Sequence, residues 1–310
     1  MAQLGTSDLD VSRLCLGGNV FGWTADRETS FAVLDAYAAA GGNFVDTADS
    51  YFWRAPGNTG GESETVIGEW MAARGNRDAM VIATKVGSWP ERPGLSTKNI
   101  AAAVDDSLRR LRTDRIDLYY AHKDDPDTAQ EETLDAFDGL VKAGKVRAIG
   151  ASNFTAERLR SALEVSARDG LASYVALQPH YNLLERAEFE TSLAPLLEAE
   201  GLACLPYFGL ARGFLTGKYR PGTDVDSPRA EGARAYLDDR GLAVLAVLDE
   251  IAAGHEVPVA AVALAWLAAQ PTVTAPIASA RTPEQLADLL PVLELQLTDD
   301  EIRLLSHVSG

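Results

Sequence analysis

Hydrophobic and polar positions alternate along the chain between short apolar runs and longer segments with helical spacing. The predicted strand and helix pairs cover residues 14–18 and 27–40, 43–46 and 63–73, 80–86 and 97–111, 116–122 and 131–143, 146–152 and 155–168, 174–178 and 189–199, 202–207 and 236–253, and 274–279 and 283–290. Strands that are apolar nearly throughout are typical of parallel sheets covered on both faces. Eight such pairs predict an α/β fold, the parallel eight-stranded (β/α)8 TIM barrel.

Local signals agree with these boundaries. Ser96, Thr155 and Thr282 precede predicted helices as N-cap residues. The segment before Leu14, with a turn at residues 5–7, predicts a short hairpin under the barrel. No linker divides the chain, so we expect residues 1–310 to form a single barrel domain. The irregular stretch at 209–235 follows strand seven on the face where barrels hold their sites, which favours a functional loop.

The charge balance limits the partners. The chain has 28 Lys and Arg against 45 Asp and Glu, a net charge of -17, which argues against nucleic acid and against anionic membrane surfaces. The apolar run at 257–269 contains Pro258 and is too short to span a membrane. The N-terminus lacks a secretory signal, so we expect a cytoplasmic protein. Cys15 and Cys204 lie in apolar runs and are interpreted as buried core thiols.

Polar residues that end neighbouring strands indicate the chemistry. Asp46 ends strand two with Tyr51 close behind, Lys85 ends strand three, and His122 ends strand four. In a barrel the strand ends converge at the active face. A tyrosine hydroxyl can protonate a carbonyl oxygen during hydride attack, and we expect a cationic Lys85 to lower its pKa. Asp46 would orient Lys85, and His122 would donate a hydrogen bond to the carbonyl.

Each of these residue types also has a plain structural reading, as a turn former, a strand-end lysine, a structural histidine or loop packing. A different barrel enzyme, such as a metal-dependent isomerase or lyase, would need convergent carboxylates or histidines at the strand ends. Only Asp46 and His122 qualify, and the four histidines are scattered, so no metal site is predicted. The barrel needs no second chain to complete such a site, so we expect a monomer.

Several segments together resemble the aldo-keto reductases. They are residues 43–51 (NFVDTADSY), 82–85 (IATK), 117–122 (DLYYAH), 149–154 (IGASNF), 178–182 (QPHYN) and 213–219 (GFLTGKY). The resemblance covers nearly the whole chain in order. It implies a catalytic tetrad of Asp46, Tyr51, Lys85 and His122 with Tyr51 as the general acid. It also implies reduction of a small-molecule aldehyde or ketone with NADPH.

The resemblance further implies a cofactor site. Its first group holds the nicotinamide and pyrophosphate, and comprises Ser152, Asn153, Gln178, Tyr207, Phe208, Leu210, Arg212 and Lys218. Its second group, for the adenosine and its 2′-phosphate, comprises Ser279, Arg281, Gln285 and Asp288. Tyr207 is the ring implied to stack on the nicotinamide. The chain departs from many relatives at Phe208, where they have Ser or Asn, at Leu289, where they have Asn, and at His180, where they often have an acidic residue.

Aromatic residues in the loops after strands one to three, namely Trp23, Phe52, Trp53 and Trp89, predict an apolar substrate pocket. The insert at residues 54–61 lies beside Tyr51 and is interpreted as a gate. Loop packing is the alternative reading of these aromatics. Two functional alternatives also remain. In the first, the chain is a regulatory subunit that binds NADPH and turns over slowly. In the second, the enzyme oxidises an alcohol in its pathway.

Overall fold

The computed structural model describes residues 1–227 and 230–310, in which strands and helices alternate. The strands are β1 (Ala2–Gln3), β2 (Asp10–Val11), β3 (Cys15–Gly17), β4 (Phe44–Asp46), β5 (Val81–Val86), β6 (Ile116–Ala121), β7 (Val146–Ser152), β8 (Tyr174–Gln178), β9 (Ala203–Cys204) and β10 (Ile277–Ala278). The helices are α1 (Arg27–Ala39), α2 (Glu62–Arg74), α3 (Thr97–Leu111), α4 (Gln130–Lys142), α5 (Ala156–Asp169), α6 (Ala194–Glu200), α7 (Ala230–Arg234), α8 (Asp239–His255), α9 (Val259–Ala268), α10 (Pro283–Ala287) and α11 (Asp299–Val308).

Strands β3 to β10 form one parallel sheet in the order β10-β3-β4-β5-β6-β7-β8-β9. Its two edge strands are joined by backbone hydrogen bonds. The Cys204 N–H donates to the Thr272 oxygen at 2.9 Å, and the Ile277 N–H donates to the Pro206 oxygen at 2.9 Å. These bonds close the sheet into a ring, and the predicted (β/α)8 fold is confirmed.

The last two strands are shorter than predicted. Residues 202–207 and 274–279 contain Pro206 and Pro276, which have no N–H to donate, so the continuous ladders are limited to Ala203–Cys204 and Ile277–Ala278, and isolated backbone hydrogen bonds continue the pairing at Leu205 and Tyr207. The helix expected at 236–253 begins at Asp239, because the Asp238 side chain accepts a hydrogen bond from the Gly241 N–H and caps it. Helices α9 and α11 were not predicted.

The N-terminal hairpin is confirmed as the antiparallel pair β1 and β2. Leu4, Leu9 and Val11 are buried together with Phe44 and Val81 at the starts of two barrel strands. The hairpin therefore seals the end of the barrel from which the strands begin. The other end, which we call the mouth, is left to hold the site.

The predicted N-caps are observed, because the side chains of Ser96, Thr155 and Thr282 each accept a backbone N–H of the following helix. In the irregular stretch predicted at 209–235, residues 228–229 lie outside the described residues. The rest contains tight turns at Ala211–Thr216, interrupted by non-helical backbone at Arg212 and Gly213, and the helix α7. Among the described residues no single helix has the length and apolar character to cross a membrane; α8 and α9, bent by 98° at their junction, meet that test only together.

Candidate active site

A cleft of about 540 Å³ opens at the mouth of the barrel. Every residue that the sequence assigned to a cofactor lines it: Ser152, Asn153, Gln178, Tyr207, Phe208, Leu210, Arg212, Lys218, Ser279, Arg281, Gln285 and Asp288. Asp46, Tyr51 and His122 line the same cleft. The structure therefore brings the candidate catalytic residues and the candidate cofactor residues to one place.

Lys85 lies at the centre of the candidate catalytic group, fully buried beneath the cleft. Its Nζ donates to Asp46 Oδ1 at 2.8 Å and Oδ2 at 2.7 Å, and to the Thr47 backbone oxygen at 2.7 Å. It also donates to the Tyr51 hydroxyl oxygen at 2.7 Å, while that hydroxyl donates to Asp46 Oδ2 at 3.0 Å. Gln178 Nε2 donates to Asp46 Oδ1 at 2.8 Å. The lysine is thus fully paired, as a buried ammonium requires.

Strand geometry explains why these residues meet. In register, Gly17 pairs with Asp46 and Lys85 pairs with Tyr120, so the ends of β3, β4, β5 and β6 lie side by side. Successive side chains on a strand point to opposite faces. Lys85 points into the barrel, whereas the hydroxyl of its neighbour Thr84 reaches outward to Glu64 Oε1 on α2 at 2.5 Å. The helix layer therefore fixes the strand from which Lys85 projects.

The protonation of Tyr51 differs from the expectation. Burial raises the pKa of Tyr51 well above its ordinary value, and the Asp46 carboxylate raises it further. Burial also lowers the pKa of Lys85, against the opposing effect of Asp46. The expected lowering of the Tyr51 pKa was therefore wrong, because the desolvation of a phenolate and its repulsion by a carboxylate at 3.0 Å outweigh the attraction of Lys85. Tyr51 is held as a protonated phenol.

The His122 imidazole meets the ring of Tyr51 edge to face, with centroids 6.0 Å apart and planes at 81°. Burial, together with Lys85 and Lys123, lowers the pKa of His122 to about 3. The ring is therefore neutral near pH 7 and carries one N–H. Its Nδ1 is buried and has no hydrogen-bond partner among the described residues.

The residues implied to hold a nicotinamide form one hydrogen-bonded set. Asn153, in the left-handed region at φ 57°, donates through Nδ2 to the His122 backbone oxygen at 2.9 Å. The Tyr207 hydroxyl donates to Asn153 Oδ1 at 2.8 Å. Ser152 Oγ donates to the backbone oxygen of Gln178 at 2.9 Å. The set thus joins Tyr207 to the candidate catalytic group through the backbone of His122.

Residues that suit phosphate lie further along the cleft. Phe208, Ala211 and Arg212 all have left-handed backbone, at φ 53°, 46° and 59°. These conformations fold the loop into turns closed by backbone hydrogen bonds, such as that from the Ala211 N–H to the Phe208 oxygen at 2.8 Å. Three basic residues, Arg212, Lys218 and Arg281, line the cleft in a chain whose net charge is strongly negative. This donor set fits a dinucleotide with a pyrophosphate and an additional phosphate.

Asn19 is a residue of the cleft that was not predicted from the sequence. It lines the cleft after β3, and its Oδ1 accepts a hydrogen bond from Ser279 Oγ at 2.8 Å. Nearby, the Arg281 backbone N–H donates to Gln285 Oε1 at 3.0 Å, which fixes the start of α10. The rule that polar residues after barrel strands form the site, applied to strand one, would have identified Asn19.

The predicted substrate aromatics divide into two groups. Trp23 lines the cleft and stacks on Phe52, with ring centroids 3.5 Å apart and planes 12° apart. Trp53 lies under the guanidinium of Arg54 at 4.7 Å. Trp89 lies beside two arginines and close to Gly60, and neither Trp53 nor Trp89 is among the residues that line the cleft. Of these four aromatic residues only Trp23 lines the described cleft, and Phe52 stacks on Trp23 without lining the cleft.

The model of the Aldo/keto reductase family matches residues 13–309. The uncharacterized oxidoreductase YrpG of Bacillus subtilis is 35% identical over 98% of this chain and 94% of its own length. The norsolorinic acid reductase stcV of Emericella nidulans is 36% identical over 94% of this chain and 76% of its own. The aryl-alcohol dehydrogenase GME11368 of Pestalotiopsis microspora is 31% identical over 96% and 79%.

Proposed function

This chain belongs to the aldo/keto reductase family, and we propose that it reduces aldehydes or ketones to alcohols with NADPH, with Tyr51 as the general acid. The family membership confirms the resemblance inferred from the six motifs. It also makes the chain an NAD(P)H-dependent oxidoreductase of carbonyl compounds. The observation that carries the finer proposal is the contact of the Tyr51 hydroxyl with Lys85 Nζ at 2.7 Å at the base of the cleft.

The proposed roles follow from the contacts. The bound reduced nicotinamide supplies a hydride to the carbonyl carbon. A tyrosine hydroxyl is protonated near neutral pH, and the raised pKa of Tyr51 leaves it so, which means that a proton is present for delivery to the carbonyl oxygen. As negative charge forms on the phenolate, the Lys85 ammonium at 2.7 Å stabilises it, and Asp46 holds Lys85 in place. The neutral His122 imidazole provides an N–H for the same carbonyl oxygen.

NADPH is proposed over NADH because of Arg281. Arg281 lines the cleft, and the family resemblance assigns it to the adenosine 2′-phosphate, which a planar guanidinium binds with paired hydrogen bonds. Gln285 and Asp288 line the cleft as well. A phosphate contact of this kind distinguishes the two cofactors, which otherwise share every group.

We propose aromatic aldehydes and ketones as the preferred substrates. The Trp23 ring, supported by stacking on Phe52, gives the cleft a flat apolar surface, which suits a planar ring. Relatives named as a norsolorinic acid reductase and an aryl-alcohol dehydrogenase agree with such substrates. The second name also agrees with alcohol oxidation, the reverse of the same reaction.

The test is the loss of NADPH absorbance with 4-nitrobenzaldehyde, comparing the wild type with Tyr51→Phe. The substitution removes only the hydroxyl, and we expect the rate to fall by about 10²- to 10⁴-fold, as for loss of a general acid. Tyr119→Phe is the matched control. Tyr119 is buried against Phe137 on the helix side, and its hydroxyl has no partner among the described residues.

NADPH binding is followed in parallel by fluorescence quenching. Equal rates for wild type and Tyr51→Phe would refute Tyr51 as the acid. If the wild type binds NADPH but reduces neither 4-nitrobenzaldehyde nor a panel of aromatic ketones, the regulatory-subunit alternative is favoured instead. A comparison of NADPH with NADH in the same assay tests the cofactor proposal separately.

A further inference from the structure

The ring of His180 lies against Tyr207 without lining the cleft. The two ring centroids are 5.3 Å apart and the planes differ by 10°, and a parallel backbone bridge pairs the two residues. Tyr207 lines the cleft and His180 does not. The imidazole therefore contacts the phenol ring from outside the cleft.

His180 is itself held by the fully buried Asn182. Asn182 Nδ2 lies 3.5 Å from His180 Nε2 and donates to the Phe208 backbone oxygen at 2.9 Å. Phe208 meets the edge of the His180 ring at 5.5 Å, and its backbone is in the left-handed region at φ 53°. One buried amide thus ties the imidazole to the backbone of the residue that follows Tyr207.

We propose that His180 is a positioning residue for the cofactor, whose ring fixes the plane of Tyr207 against which the nicotinamide rests. This inference depends on the proposed function, since it takes Tyr207 as the nicotinamide platform. The Tyr207 hydroxyl is anchored on Asn153 at 2.8 Å, and the Phe208 ring meets the Tyr207 ring at 75° with centroids 5.2 Å apart, but neither contact is a parallel ring packed on the face of Tyr207, so the ring can still tilt. A second ring packed against it removes that freedom before the cofactor binds, which lowers the entropic cost of binding.

The charges around His180 are consistent with a neutral ring. Burial lowers the pKa of His180, and Arg212 lowers it further, whereas Glu185 and Glu188 oppose this shift. The imidazole is therefore uncharged at neutral pH and acts by packing. Arg212 is one of the charges in this region, and its guanidinium lies 4.8 Å from the centre of the Phe208 ring.

The experiment measures the Kd of NADPH by fluorescence quenching, and kcat at saturating NADPH, for His180→Ala and His180→Phe. We expect His180→Ala to raise Kd by about 3- to 10-fold, the size of one aromatic pair. We expect kcat to change less than about twofold, because Tyr51 and Lys85 are untouched. His180→Phe keeps a flat ring and is expected to restore Kd. The exposed His307 on α11 provides the matched control, His307→Ala.

A double-mutant cycle separates this role from a general loss of structure. In a Tyr207→Ala background, His180→Ala should not weaken NADPH binding further, because its effect is transmitted through Tyr207. If His180→Ala does not fold, His180→Gln retains bulk without a ring and replaces it.

Additive losses in the Tyr207→Ala background, or equal Kd increases in His180→Ala and His180→Phe, would overturn the proposal. An unchanged Kd in His180→Ala would overturn it as well. The proposed reaction fails in a different way. If the wild type binds NADPH and the double-mutant cycle gives the expected non-additive result, but no carbonyl is reduced, the proposed reaction is refuted and the positioning role of His180 is supported. A wild type that does not bind NADPH overturns both.

Discussion

Replacement of Asp49 by Asn should stabilise the protein at neutral pH. Asp49 follows β4, is 1% exposed, and its Oδ1 has no hydrogen-bond partner among the described residues. Burial, and then repulsion by the fully buried Glu64, raise the pKa of Asp49 from 3.8 to about 7, although Arg110 and Arg92 oppose this. The carboxyl is therefore held where its ionised form is unfavourable.

The magnitude follows from the two pKa values. Below about pH 4 the Asp49 carboxyl is protonated in both folded and unfolded chains. Between pH 4 and pH 7 the unfolded chain releases the proton while the folded chain retains it, so stability falls as pH rises. Above about pH 7 both are ionised and the loss is complete. A difference between about 7 and 3.8, at about 1.4 kcal/mol per pH unit, corresponds to about 4 kcal/mol.

Urea unfolding followed by circular dichroism, from pH 4.5 to pH 8, measures this effect. The free energy of unfolding of Asp49→Asn minus that of the wild type should grow with pH and level off near pH 7. The exposed Asp127 gives the control, Asp127→Asn, for which no such growth is expected. Wild-type and Asp49→Asn stabilities that run parallel across this range would refute the reasoning.

Two further predictions concern the cleft. Lys85→Met keeps the length of the side chain but removes the ammonium that contacts Tyr51, so kcat for NADPH oxidation should fall by about 10²- to 10⁴-fold with NADPH binding retained; substantial turnover would contradict the role of Lys85. Arg281→Ala should raise the KM for NADPH by about 10- to 100-fold, the value of a charge-assisted hydrogen bond, and leave the KM for NADH nearly unchanged; equal changes for both cofactors would show that Arg281 does not contact the 2′-phosphate.

Much of the barrel was predictable because its strands are short apolar runs separated by helices with clear caps. The convergence of Asp46, Lys85 and His122 followed from the same topology, since parallel strands that end at one rim bring their last residues together. The edges were less predictable. The ladders of β9 and β10 are cut short by Pro206 and Pro276, and hydrophobic content alone does not reveal where hydrogen bonding stops.

The loops show the limit of sequence reasoning most clearly. Phe52 adopts left-handed backbone at φ 49°, a conformation that nothing in its side chain favours, and this directs it onto Trp23. Trp89 was expected in the pocket but lies between Arg92 and Arg110, at 5.3 Å and 5.7 Å from their guanidinium carbons. The orientation of an aromatic residue in a loop depends on neighbours that are distant in sequence. The sequence therefore predicted that aromatic residues lie at the pocket, but not which of them line it.

The end of the barrel that the hairpin seals and the end that holds the cleft are expected to be under different evolutionary pressures. Leu4, Leu9 and Val11 fill the end from which the strands begin, whereas the residues that line the cleft come from the opposite rim. Mutations that change the preferred carbonyl substrate can accumulate at the mouth while the hairpin maintains the stability of the barrel. A laboratory library restricted to the loops around Trp23 and Phe52 would therefore explore new substrates with little risk of unfolding the scaffold.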